Sequence, residues 1–181
     1  MLLISQNLLN YDMEFPKDTV LRINLAWVSS LDKLTRLLDQ FTQDVFLDLP
    51  TGRKKPPNYR YSMSDLASII QAYPIIKYFA ISNVESLSQI NDAYSFLPKS
   101  ITLVPKIESI LGIKEINKIS SALREKKRII MLDHDDLFSN IISKNQTVDY
   151  YIQLIDSLVD FCTSEGVILL RTRGVIFSED I

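Results

Sequence analysis

With 181 residues, 46% of them hydrophobic and 23% charged, the chain is long enough for one substantial core and too apolar to be disordered. A net charge of -2 gives no general pull toward nucleic acid or an anionic membrane, and no apolar run approaches the ~20 residues of a membrane span. A single cysteine and a single histidine exclude an internal disulfide and a zinc site built on several histidines, so a metal would be held by oxygen, which favours Mg2+ or Mn2+.

In chain order, the apolar start Met1–Ile4 lacks the basic flank and the length of a signal peptide. Its residues Leu2–Ser5 read as a first strand, and Val20–Ala26 as a second, with no clear helix between them. Ser30 caps a helix through about Thr42, with Leu31, Leu34, Leu37, Leu38 and Phe41 on one face. Val45–Leu49 follows as a strand, and Ser64 is placed to cap a helix carrying Leu66, Ile69 and Ile70. Then come a strand at Tyr78–Ile81, a helix from about Glu85 to Phe96, a strand at Ile101–Pro105 and a helix from about Lys114 to Glu125. The strand Arg128–Leu132 precedes a helix that starts at Thr147 and stops at Gly166, and Val167–Leu170 is the last strand. Cys162 falls on the apolar side of that final helix, as a small buried residue, and Trp27 is expected in the core.

These strands are continuous apolar runs, the pattern of strands buried on both faces. Strands alternating with helices imply an α/β fold with a parallel sheet, and one long series suggests a barrel. A full eight-unit barrel takes about 250 residues, so the expectation is a truncated or incomplete TIM-type (β/α) barrel, as one domain over residues 1–181. Exposed edges of such a barrel would be covered in a homodimer. The expected location is cytoplasmic.

Polar residues gather at the strand ends. Arg22 and Asn24 lie two apart on the second strand, so they share a face. Asp48 ends the third strand. Lys106 and Glu108 share a face after the fifth; Asp133, Asp135 and Asp136 follow the sixth; Arg171 and Thr172 follow the seventh. In a β/α barrel these ends converge on one mouth. There Glu108 and Asp136 could hold a hard cation, with Arg22 and Lys106 supplying positive charge for a small anion or a developing enolate. Arg53, Lys54, Lys55 and Arg60 form a basic loop that reads either as a phosphate or acidic-partner contact or as a solvated loop. His134 reads equally as a proton donor or an ordinary loop residue, and Tyr59 as lining of the mouth.

The order of these segments resembles that of pyruvate kinases. Leu21-Arg22-Ile23-Asn24-Leu25 is similar to their Arg-x-Asn-Phe-Ser-His strand, and Leu47-Asp48-Leu49-Pro50-Thr51-Gly52-Arg53-Lys54 to their Asp-x-x-Gly-Pro-Lys/Glu-Ile-Arg segment. Phe79-Ala80-Ile81-Ser82 stands where they carry Ala-Ser-Phe. Val104-Pro105-Lys106-Ile107-Glu108-Ser109 resembles their Ser-Lys-Ile-Glu-Asn, and Ile130-Met131-Leu132-Asp133-His134-Asp135-Asp136-Leu137 their Ile-Met-Val-Ala-Arg-Gly-Asp-Leu. The resemblance, to the phosphoenolpyruvate/pyruvate-domain superfamily, runs over roughly residues 20 to 172.

It implies Mg2+ or Mn2+ on Glu108 and Asp136, and Lys106 stabilising a phosphoryl group and an enolate. It also implies Arg22 on phosphate, and Asn24 and Asp48 beside a monovalent cation. The backbone at Asp135 and Asp136 would hold the substrate carboxylate, and a threonine role would fall to Arg171 or Thr172. The departures are specific: only about Arg53–Ser62 stands where pyruvate kinases insert a lid, Ala26 replaces a cation-binding serine, and Val84 falls near an expected arginine. Lidless relatives, the HpcH/HpaI-type aldolases and citrate lyase β-type lyases, use a metal-pyruvate site for C–C cleavage. The expected function is therefore divalent-metal chemistry on pyruvate, phosphoenolpyruvate or a related 2-oxo acid, by phosphoryl transfer or C–C lysis. The alternative is a catalytically degenerate barrel kept as a binding or assembly protein.

Overall fold

The structure is a computed structural model and describes residues 2–5, 16, 18–51 and 56–171. Seven strands are seen there: β1 (Leu2–Ser5), β2 (Thr19–Asn24), β3 (Val45–Leu49), β4 (Ile76–Ile81), β5 (Thr102–Ile107), β6 (Ile129–Leu132) and β7 (Ile168–Arg171). They pair in chain order and in parallel throughout. A doubly wound sheet reverses its strand order at a switch point; this one does not, and it curls into an incomplete barrel. The stretch between β1 and β2, read from the sequence as lacking a helix, lies mostly outside the described residues.

The helices are α1 (Leu31–Leu38), α2 (Met63–Ala72), α3 (Leu87–Phe96), α4 (Ile110–Lys114), α5 (Ile116–Ser121), α6 (His134–Ser143) and α7 (Val148–Ser164). Local chemistry explains their starts. Ser30 caps α1 by accepting from Lys33 N, and Thr147 caps α7 by accepting from Tyr150 N. The cap of α2 is Ser62 and not the expected Ser64, because Asp65 completes a capping box with it. The single helix expected after about Lys114 is two short ones, α4 and α5, separated at Glu115. Gly166 ends α7 at φ 63, a left-handed position that suits glycine.

Strand alternation divides the core into two layers. One face of the sheet packs on the helices: Ile23, Leu47, Phe79, Leu103 and Ile130 join Leu34, Leu66, Ile90, Ile119 and Leu158. The opposite face, inside the curl, carries Val20, Phe46, Ala80, Val104, Ile129 and Met131, with Tyr78 stacked on Phe46. Further along the same strands, this inner face turns polar. Arg22 follows Val20, Asp48 follows Phe46, Ser82 follows Ala80, Lys106 follows Val104 and Asp133 follows Met131, each two residues on.

Trp27 departs from expectation: it is 48% exposed. The strand β2 gives way at Asn24, whose side chain accepts from Ala26 N and starts a 3-10 turn over Leu25–Trp27. That turn breaks the strand alternation, so Leu25 and Ala26 are buried and the indole faces out. Cys162 is buried as expected.

Candidate functional site

The polar end of the inner face lines a cavity of about 300 Å³. Its walls include Arg22 and Asn24 from β2, Thr51 after β3, Ser82 and Asn83 after β4, Lys106 from β5 and Glu108 just after it, and Asp133 and Asp136 after β6. Helix α6 closes one side with Ser139, Asn140 and Ser143.

Lys106 is the centre of its charge network. Nζ lies 2.7 Å from Glu108 Oε1, 3.6 Å from Asp48 Oδ2 and 3.7 Å from Asp133 Oδ2, and it donates to Ser82 Oγ at 3.1 Å. Only 4% of Lys106 is exposed. Burial opposes its charge, but the carboxylates of Asp48 and Glu108 outweigh that, and the ammonium is held above the ordinary lysine range. It is therefore a fixed positive charge and not a base. Arg22 is anchored on the same Asp48, through Nε at 3.0 Å and Nη2 at 2.5 Å.

Glu108 is set by the loop after β4. Asn83 sits at φ 55, and its N–H donates to Glu108 Oε2 at 2.8 Å. Asn83 Nδ2 donates to the Thr51 carbonyl at 2.8 Å, and the Thr51 hydroxyl donates to the Ser82 carbonyl at 2.6 Å. Val84 N donates to the Lys106 carbonyl at 3.1 Å, which ties this loop to β5. Burial pushes the Glu108 carboxyl up; Lys106 pulls it back, Asp133 adds to the rise, and the net direction is upward. The buried Glu108 Oε1 touches Lys106 as an ion pair but has no directed hydrogen bond among the described residues.

Oxygens of Glu108, Asp133 and Asp136 lie within 4.8 Å of one another. Three clustered carboxylates fit a hard divalent cation such as Mg2+ or Mn2+, and the absence of sulfur or imidazole in the set fits zinc and copper poorly.

The residues singled out from sequence divide as follows. Arg22, Asn24, Lys106, Glu108 and Asp136 line the cavity, and Asp48 lies fully buried behind Arg22 and Lys106. Asp135 is exposed and does not line it. The Asp136 N–H, expected to hold a substrate carboxylate, donates to Asp133 Oδ1 at 3.3 Å. Thr172 and the basic residues Arg53, Lys54 and Lys55 lie outside the described residues; Arg60 and Tyr59 are exposed. His134 stands at the start of α6, accepting from Arg171 Nε at 3.3 Å. That donation fixes Nε2 as acceptor and turns Nδ1 to the Tyr151 hydroxyl at 2.7 Å. Burial, with Arg171 adding, holds the imidazole below its usual range.

Sequence reasoning missed Ser82, Asn83 and the α6 wall as site residues, and passed over Asp133 as a cation ligand. Helix α6 stands where the sequence suggests only a polar strand end at Asp133-His134-Asp135-Asp136. Its signature was present: Asp133 as cap, Asp135 and Asp136 in the first turn, and Leu137 and Ile141 buried four apart.

No family model matches the sequence, and no curated protein matches it. Solved structures do match. RipC from Yersinia pestis superposes with TM-score 0.60 at 18% identity, over 84% of this chain and 68% of that one. A Haloferax volcanii malate synthase, in a pyruvate/acetyl-CoA ternary complex, gives TM-score 0.62 at 11% identity, over 84% and 49%. A citrate lyase from Burkholderia xenovorans LB400 gives 0.65 at 7% identity, over 87% and 57%. These proteins belong to the phosphoenolpyruvate/pyruvate-domain superfamily, and what the chain shares with them is the fold. The chain spans only about half to two thirds of their lengths.

Proposed function

We propose that the chain is a divalent-metal-dependent enzyme of the pyruvate family of chemistries, acting on a small 2-oxo acid through its enolate. The observation that carries this reading is the buried Lys106 ammonium beside three clustered carboxylates, Glu108, Asp133 and Asp136, in one small cavity. The fold neighbours support it: one is a malate synthase held with pyruvate and acetyl-CoA, another a citrate lyase.

In this reading Glu108 and Asp136 hold the cation, with Asp133 as a third candidate ligand. Bound there, Mg2+ or Mn2+ would polarise a 2-oxo carbonyl as a Lewis acid. Lys106 and Arg22 provide fixed positive charge where an enolate oxygen develops, and Asp48 keeps both side chains aimed. Ser82 and the Asn83 N–H fix Lys106 and Glu108, so little reorganisation accompanies charge development. The cavity's size suits a substrate head of pyruvate dimensions. One barrel per chain, with a second copy covering its open edges, completes the proposal.

Exchange of the pyruvate methyl protons into D2O, followed by NMR with Mg2+ and no nucleotide, tests it. Exchange that disappears in Glu108→Ala supports enolate chemistry independent of phosphoryl transfer. No exchange with any divalent cation contradicts the proposal and favours a barrel retained for binding or assembly.

A further inference from the structure

We propose that the cleft between α4, α6 and α7 is a second subsite, which takes the far carboxylate of a 2-oxo diacid whose 2-oxo head lies at the cation. The inference rests on the reading of the first cavity as a cation and 2-oxo acid site.

A second cavity, of about 780 Å³, opens beside the first. The two share one wall residue, Asn140. Asp136, Asn140 and Lys144 stand four apart along α6 and its C-cap, so they form one row on the helix. A helix rises ~1.5 Å per residue, so each step of that row is about 6 Å. The row runs from a candidate cation ligand in the first cavity, through the shared wall, to an ammonium in the second.

Asn140 is oriented for a ligand that passes it. The Ile110 N–H donates to Asn140 Oδ1 at 3.2 Å. A backbone N–H can only donate, so that contact settles which end of the amide is oxygen. Nδ2 has no acceptor among the described residues and is left to donate to a ligand. Beyond it the cavity offers what a diacid arm requires. Leu111, 48% exposed, and the partly buried Ile110 and Tyr150 give apolar surface for methylene groups. Lys114, the last residue of α4, and Lys144 bring ammonium groups, and neither has a carboxylate partner among the described residues. Glu85 lines the same cavity, but its Oε1 accepts from the buried Ser109 hydroxyl at 2.5 Å and it pairs with neither lysine. A carboxylate at the end of the arm gains charge-assisted hydrogen bonds there that a methyl group cannot make.

Isothermal titration at saturating Mg2+ with 2-oxoglutarate, 2-oxoadipate and 2-oxopimelate tests this. Each is compared with the monoacid of its own chain length: 2-oxopentanoate, 2-oxohexanoate or 2-oxoheptanoate. The expected result is that at least one diacid binds the parent chain about ten-fold more tightly than its monoacid. In the double variant Lys114→Gln, Lys144→Gln that preference should fall to near one, with oxalate affinity unchanged, and thermal unfolding checks that the variant folds. No diacid preference at any length, a preference kept in the double variant, or oxalate binding lost along with it overturns the inference. Oxalate binding to the parent chain separates the two levels. Mg2+-dependent oxalate binding without a diacid preference overturns only the second subsite; no oxalate binding overturns the site reading with it.

Discussion

Lys106 Nζ lies 2.7 Å from Glu108 Oε1, two residues away on the same inner face of the barrel, and both residues are buried. The pair is unequal. The lysine is held charged by its neighbours, while the glutamate is pushed toward its neutral form by burial.

Removing the lysine charge leaves Asp48, Glu108 and Asp133 close together without a common counter-ion. Lys106→Met should destabilise the metal-free chain by about 3–5 kcal/mol, the cost of breaking a buried ion pair from one side. Mn2+ should restore more thermal stability to this variant than to the parent. Chemical denaturation with and without Mn2+ measures both; a loss below about 1 kcal/mol would contradict the network described.

The raised Glu108 pKa sets a pH dependence. A carboxyl raised in the fold contributes stability below the ordinary glutamate range, and loses it as pH rises through the folded value. Cation binding needs the ionised form, so Mn2+ affinity should rise with pH across the same window. Mn2+ dissociation constants measured upward from the ordinary glutamate range should fall as pH rises in the parent chain. In Glu108→Gln the affinity should be weak and the climb shallower.

Gly112, in α4, marks a close approach that supports the site. A Cβ built there would meet the Val84 carbonyl oxygen at 2.7 Å, a backbone atom with little room to yield. Gly112→Ala should cost about 1–3 kcal/mol of stability. It should also weaken Mn2+ binding, because Val84 follows Asn83, whose N–H holds Glu108. Unfolding and Mn2+ titration of the same variant would show whether the two effects travel together.

Cys162 has its thiol pushed up to about 11 by burial. The thiolate is scarce at pH 8, so a disulfide reagent should react only as fast as the chain opens. Added denaturant should accelerate labelling in step with global unfolding. Rapid labelling in native buffer would contradict the burial of α7's inner face.

The strand series was legible because buried parallel strands are continuous apolar runs, and β3, β4 and β7 fall almost where those runs do. The mouth was legible because Arg22 and Asn24, and Lys106 and Glu108, stand two apart toward strand ends, with Asp48 near the end of another strand. What the sequence did not display was conformation set by single side chains. Asn24 turns β2 into a 3-10 turn and exposes Trp27; Asn83 at φ 55 aims its N–H at Glu108. Asp133 looked like loop polarity because capping is a three-residue relationship, hidden in a run of acids. Exposure of Asp135 beside cavity-lining Asp136 follows from helical geometry, which separates neighbours by about 100°.

The central claim is that Glu108 and Asp136, with Asp133 as a third candidate ligand, hold a divalent cation through which a small 2-oxo acid is bound. Isothermal titration of oxalate, an enolpyruvate mimic, with and without Mg2+, tests it most directly. The account predicts binding only with Mg2+, lost in Glu108→Ala. Oxalate binding that ignores both the metal and Glu108, or no binding under any metal condition, would contradict it.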